Sequence, residues 1–392
     1  MTIIDRRAVL AAALAAPMLP GVRLFAAPAA APRLMVLFLR GAYDCASTLV
    51  PFNSSFYYEA RPTIAIPRAG AGAVIPLDSD WGLNPALEAS LLPFWKRREL
   101  AIIPFAGTPD MSRSHFETQD TIELGQPLGA RRDTTSGFMN RLARELAGAQ
   151  PMAFTDRLPL AFRGPLAVPN VKLKNRAAAI DPRRDAMLAK MYAHDADLSA
   201  QVQQGIDAGR EVSAALANEM VTSGRGAVSA NGFDTSARRI ASVMKGRVNL
   251  AFADIGGWDT HVAQKGALDF RLGVLGRGLA SFAAELGPAE WRNTSVVVIS
   301  EFGRTLRENG ARGTDHGHGT AFWVMGGNVR GGRIVGEQVK VARATLNDDR
   351  DFPVLNEVRS VLGGVFQKLY GLGPASLGRI FPGARPVDLG II

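Results

Sequence analysis

Cysteine is nearly absent from this chain. Cys45 stands alone among 392 residues, so no intramolecular disulfide can form and the fold must be held by its core, with or without a metal. Histidine is scarce as well, at five residues. Aromatic residues make up only 7 % and are not interleaved with the dispersed basic ones, which argues against a nucleic-acid-binding surface. No low-complexity or linker-like tract divides the chain, although 41 glycines and 23 prolines predict many loops. No apolar run is long enough for a stable membrane span.

What is present points to a large globular α/β domain. Apolar residues form 47 % of the sequence, enough for a sizeable core. The net charge is +9, supplied mostly by arginine. It is read as a basic surface, or as a means of steering anionic substrates such as phosphate or sulfate esters. The N-terminus has the layout of an export signal: Arg6 and Arg7, an apolar stretch from Ala11 to Leu19, then small residues from Ala26 to Ala31. The arginine pair predicts the twin-arginine export machinery as a partner. Residues 1–31 are therefore set apart from a single domain over 32–392.

Apolar runs predict strands over residues 33–39, 100–105, 248–253, 296–299 and 321–325, with a further one at 158–162. Helical spacing marks residues 84–99, 116–124, 137–146, 262–286 and 352–370. An alanine-rich, charged helical pattern over 181–220, which includes His194, predicts a helical insertion or lid around 176–230. Strands alternating with helices predict a mostly parallel, doubly wound sheet. Such sheets bind ligands beyond the carboxyl ends of their strands.

Several polar residues lie just past those ends. The run 296–299 stops at Ser300-Glu301, and a loop then carries Asp315, His316 and His318. Asp259 and His261 stand two apart after Gly256-Gly257, whose flexibility lets the backbone turn sharply. Asp44 follows the first strand. Carboxylate oxygen and imidazole nitrogen suit a divalent cation, here zinc, calcium or manganese. At least one of Asp315, His316 and His318 is expected to bind it; His316 and His318 are not expected to bind one ion together. Ser112, Ser114 and His115 head a helix, where a hydroxyl meets unpaired N–H groups. On spacing alone, Ser112 or Ser114 reads equally as the N-cap, in a capping-box pattern with Glu117. Cys45 lacks the context of a sulfatase-type modified cysteine and reads as a buried thiol.

The motifs Arg40-Gly41-Ala42-Tyr43-Asp44, Ser112-Arg113-Ser114-His115-Phe116 with Gln119-Asp120, Gly256-Gly257-Trp258-Asp259-Thr260-His261 with Gln264, Ser300-Glu301-Phe302-Gly303-Arg304-Thr305 and Gly313-Thr314-Asp315-His316-Gly317 resemble the exported family named domain of unknown function 1501. That family is grouped with the alkaline phosphatase-like superfamily of phosphatases, sulfatases and phosphomutases. The resemblance implies an α/β/α sandwich with a metal site at the strand ends. It implies ligand roles for Asp44, for the pair Asp259 and His261, for Glu301, and for His316 or His318. It places Ser112 or Ser114 in the nucleophile region. Where the superfamily has an Asp-His pair after a strand, this chain has Glu301-Phe302.

Two functions follow from these readings. One is an exported, metal-dependent hydrolase of small or polymeric phosphate or sulfate esters, with Ser112, Ser114, His115 and Arg304 as catalytic candidates and Arg40 or Arg113 as further sources of positive charge. The other is a non-catalytic, metal-binding exported protein that binds an envelope partner or anionic polymer.

Overall fold

A computed structural model describes residues 32–172, 228–229 and 232–392. The expected signal segment 1–31, nearly all of the expected insertion 176–230, and His194 lie outside the described residues.

Among the described residues, six main strands and three two-residue ones build the central sheet; the main ones are β1 (Arg33–Leu39), β2 (Leu100–Gly107), β3 (Pro151–Phe154), β4 (Leu250–Gly256), β5 (Thr294–Ser300) and β6 (Thr320–Gly326). Their order across the sheet is β2-β6-β5-β1-β4-β3, with the short strand Arg333–Ile334 outside β2. β1 pairs in parallel with both neighbours, Leu34 opposite Leu250 on one side and Ser295 on the other. All of β1 past Arg33 is buried, as a strand covered on both faces requires.

The pleat sends alternate β1 side chains into two separate cores. Met35, Leu37 and Leu39 pack on one face, Leu34, Val36 and Phe38 on the other. The first core is closed by helices α1 (Ser55–Ala60), α2 (Glu88–Lys96), α5 (Phe233–Lys245) and α6 (Gln264–Trp291). The second is closed by α3 (His115–Leu124), α4 (Phe138–Glu145), α7 (Val358–Tyr370) and α8 (Pro374–Ile380). Three layers, helix on sheet on helix, result. Each fully buried large side chain, such as Phe38 or Phe252, stabilises this arrangement by roughly 1.5–3 kcal/mol.

The sheet is mostly parallel, as expected, with β6 alone running antiparallel to β5 and β2. Three features depart from the sequence expectation. The strand expected at 158–162 is a 3-10 turn, Leu160–Phe162. There the Ala161 N–H donates to the Glu123 carboxylate at 3.0 Å instead of to a ladder, and the strand falls at Pro151–Phe154. The C-terminal helix starts at Val358, because Asn356–Glu357 first pairs with the end of β2. The helix expected from 84 opens with a 3-10 turn at Pro85–Leu87.

This topology brings the candidate residues to one edge. β1, β4 and β5 are parallel, so their exits at Arg40–Asp44, 257–261 and Glu301 share a side of the sheet. β2 leaves on that side toward α3. Because β6 is antiparallel, the loop that precedes it, carrying Asp315 to His318, arrives at the same edge.

Candidate metal centre

The β4 exit turns at Gly257, which has φ +91°, and buries Trp258 completely. Asp259 follows and points back to the sheet edge. The β1 exit lies against it: Gly41 has φ +112°, and a Cβ there would stand 2.8 Å from the Asp259 nitrogen. Only glycine allows the two loops to approach so closely.

Three imidazoles gather around Asp259. His115 opens α3, His261 precedes α6, and His316 comes from the loop before β6. His261 Nε2 is 2.8 Å and His316 Nε2 3.3 Å from Asp259 Oδ1, while His115 Nε2 is 3.4 Å from Oδ2. The His115 and His316 Nε2 atoms are 3.0 Å apart, and those of His261 and His316 3.2 Å. Ligand atoms of His115, Asp259 and His316 all lie within 4.8 Å of one another. This is the one such cluster among the described residues.

Each ring is oriented through its other nitrogen. His115 Nδ1 donates to Glu301 Oε1 at 2.8 Å, and His316 Nδ1 donates to the Arg113 carbonyl at 3.0 Å. His261 Nδ1 faces Asp315 Oδ1 at 3.3 Å. An imidazole that donates from Nδ1 presents its Nε2 lone pair inward when neutral, the arrangement metal-binding histidines use. Arg113 turns its carbonyl to His316 from φ +51°, a left-handed conformation that costs a non-glycine residue on the order of 1 kcal/mol.

The residues fit a cation by three tests. Asp259 Oδ2 is buried and, apart from His115 Nε2 at 3.4 Å, has no polar partner. The spacing of the inward atoms is near the roughly 3.3 Å edge of a tetrahedron with metal–ligand bonds of about 2.0–2.1 Å. The donor set is mostly imidazole, with one carboxylate.

Electrostatics agree. Burial alone would push the Asp259 carboxyl up, but hydrogen bonds from His115, His261 and His316 and the charge of Arg304 hold it far below the usual carboxylate range. Burial works against a charged His115, yet Asp259 and Glu301 raise it from 6.5 to about 9.

The other expected residues take supporting or separate places. Glu301 is not among the convergent ligand atoms; its Oε1 accepts from Gly41 N–H, Gln119 Nε2 and His115 Nδ1. Burial is outweighed by His115, and its carboxyl lies below the usual range. Asp44 sits behind the cluster, saturated by Arg61 at 2.5 and 3.0 Å and by Gln264 at 2.6 Å. Asp315, its side chain 53 % exposed, orients His261. His318 is buried apart from the cluster and pushed down to about 4, first by burial and then by Arg113. Arg304 spends its guanidinium on Asp259 Oδ1 and on the carbonyl and hydroxyl of Thr314. Arg40 spends its own on Asp254 and Glu123, both buried.

Ser114 is the N-cap of α3, accepting from Glu117 N–H at 3.5 Å, and Ser112 Oγ contacts Thr118 Oγ1 and Ser114 N–H. Their hydroxyls serve the helix start. Phe302 stacks beside His115 with ring centroids 4.9 Å apart and forms an apolar wall for it. Cys45 is buried, its thiol pushed up to about 12 by burial and Asp44.

Gln119, Arg61, Gln264, Asn309 and Thr314 also belong to this region but were not singled out as site residues. One signal for Gln119 lies in plain view. His115, Gln119 and Glu123 are spaced by four and form a polar stripe on α3 that is wholly buried.

The family profile described as "Protein of unknown function (DUF1501)" matches residues 103–373. No curated protein matches the chain. Among solved structures, it is similar to a protein in the alkaline phosphatase superfamily from Vibrio parahaemolyticus, with TM-score 0.38 and 10 % identity, covering 76 % of this chain and 60 % of that one. It is likewise similar to the C-terminal periplasmic domain of EcEptC from Escherichia coli in complex with zinc, with TM-score 0.38, 10 % identity, and 76 % and 73 % coverage. A 2-O GAG sulfatase gives TM-score 0.36 and 10 % identity, with 88 % and 71 % coverage.

Proposed function

This chain belongs to the family of proteins of unknown function DUF1501, and on the geometry of its histidine–aspartate cluster we propose that it is a zinc-dependent hydrolase of phosphate or sulfate esters. The family carries no reaction with it, so the proposal rests on the cluster. One observation supports it above all: three imidazoles with anchored Nδ1 atoms gather their Nε2 atoms around one buried carboxylate. His115, Asp259 and His316 would hold the ion, with His261 beside them. Nitrogen-rich donors suit zinc; calcium prefers oxygen ligands.

A zinc ion there supplies Lewis acidity toward an ester oxygen. The protein's own residues do the rest. Glu301, Asp315 and the Arg113 carbonyl fix the imidazoles, Arg304 balances Asp259, and Phe302 keeps water from one side of His115. Arg113, one-quarter exposed at the rim and paired with Asp351 at 2.9 Å, offers positive charge to an anionic ester.

The test is hydrolysis by the zinc-replete protein across a panel of phosphate and sulfate esters, beside the Asp259→Asn variant. Turnover that is lost in the variant is expected. A zinc-loaded, folded protein that hydrolyses no ester overturns the proposal. It would favour the reading as a non-catalytic metal-binding protein, which the commitment of Ser112 and Ser114 to the helix start also supports. Export through residues 1–31 belongs to the same proposal. N-terminal sequencing of the extracytoplasmic protein checks it, and a mature chain that retains Arg6 and Arg7 speaks against it.

A further inference from the structure

We infer that two buried glutamines, Gln119 and Gln264, are positioning residues that set the two flanks of the histidine–aspartate cluster from arginines anchored beside the exit of β1. The inference rests on the reading of that cluster as a cation site. Both side chains are 0 % exposed, and each lies between a charged group and a partner of the cluster.

On the first flank, Arg40 is locked by Asp254 at 2.6 Å and Glu123 at 2.8 Å. Its Nη1 donates to Gln119 Oε1 at 2.8 Å. A guanidinium can only donate, so the amide oxygen must face Arg40 and the NH₂ must face away. The NH₂ then donates to Glu301 Oε1 at 2.9 Å, the oxygen that also accepts from His115 Nδ1. The ring of His115 is thereby set from Arg40 through one amide.

The second flank has the opposite polarity. Arg61 is fully buried and grips Asp44 with two nitrogens. Asp44 can only accept when ionised, so Gln264 turns its NH₂ to Oδ2 at 2.6 Å. Its Oε1 then accepts from the hydroxyls of Thr314 at 2.8 Å and Thr260 at 3.1 Å. With its proton spent on Gln264, the Thr314 hydroxyl presents lone pairs to Arg304 Nε at 3.2 Å. Arg304 Nη1 ends the line at Asp259 Oδ1, 2.5 Å away.

Neither amide can be reversed without facing donor to donor or acceptor to acceptor. No other side chain of similar size supplies both halves, since leucine supplies neither and glutamate sets a second carboxylate against Glu301 or Asp44. Asp44, four residues beyond Arg40, thus acts on the cluster through Gln264 and not as a ligand.

The experiment measures zinc dissociation constants of the full chain by competition with a chromophoric chelator. Gln119→Leu and Gln264→Leu are each expected to weaken zinc binding about 10-fold, the low end of what losing a direct hydrogen-bond partner of a ligand costs, because each acts through at least one further group. Thr314→Val, which deletes one hydroxyl, should match Gln264→Leu, and the double variant should lose no more than either single one. Should Gln264→Leu not fold, Thr314→Val carries the same test.

Folded leucine variants that bind zinc within about threefold of the parent overturn the inference, as do additive losses along one line. A metal-free readout separates its failure from that of the zinc reading. Solvent exchange of the Arg304 Nε–H, followed by NMR, should be slow in the parent and fast in Gln264→Leu. Equal exchange rates overturn the positioning role even if the parent binds no zinc.

Discussion

At the scale of single residues, His115 couples the site to pH. Its folded state holds a proton up to about 9, against 6.5 in an ordinary histidine. A proton held more tightly in the folded chain stabilises it. That contribution is complete below about pH 6.5 and is lost as the pH rises through 9. The shift corresponds to on the order of 3 kcal/mol, shared among His115, Asp259 and Glu301. Urea midpoints of the chelator-treated protein should therefore fall between about pH 6 and pH 9.5, and His115→Gln should flatten the profile. A parent profile already flat across that window contradicts the ion cluster. His316→Ala removes a ligand atom outright and is expected to abolish stoichiometric zinc binding, read by elemental analysis after dialysis. Retained stoichiometry would show that the cation sits elsewhere.

At the scale of elements, the loop between β5 and β6 decides whether the last histidine arrives. Gly303 N–H donates to the His318 carbonyl and Gly317 N–H to the Gly303 carbonyl, both at 2.9 Å, folding the loop onto itself. A Cβ on residue 303 would stand 1.9 Å from the Gly319 carbonyl oxygen, far inside contact distance. Gly303→Ala must therefore open the loop, displacing both Arg304 and His316. It should cost roughly 1–3 kcal/mol of stability, as overpacking does elsewhere, together with zinc affinity. An unchanged unfolding midpoint with intact zinc binding would refute this account. On α3, the buried stripe of His115, Gln119 and Glu123 illustrates the limit of pattern reading. Polar residues four apart look like a solvent face until a sheet edge full of charges is placed against them.

At the scale of the whole molecule, a cation bound only by the folded state stabilises it by mass action. With free zinc at about 100 times its dissociation constant, the gain is roughly 2.7 kcal/mol. For a domain of this size that amounts to a rise of several degrees in the thermal midpoint on adding zinc, reversed by chelator. The rise should vanish in Asp259→Asn. A midpoint indifferent to zinc in the parent would weigh against any tight site.

Much was legible in the amino-acid order. Apolar runs located five of the six main strands, because a strand buried on both faces must be continuously apolar, and the glycines before Asp259 and His261 marked a sharp turn at a strand end. Local patterns also offered Ser112 or Ser114 as a helix cap, of which Ser114 takes the place. Distance was not legible. Asp44, Glu301, Asp315, His316 and His318 are all acceptable ligands by residue type, and nothing local says which will meet. The antiparallel run of β6 carried His316 to the edge where β4 leaves Asp259, Arg61 claimed Asp44, and Gln119 and His115 claimed Glu301. The sequence by itself determined the elements and the chemical types at their ends, since both depend on near neighbours in the chain. Only the tertiary structure decided which charges pair, because partners 17 to 260 residues apart, such as Arg61 with Asp44 and Gly41 with Glu301, are matched by the sheet order and by the helices and loops packed on it.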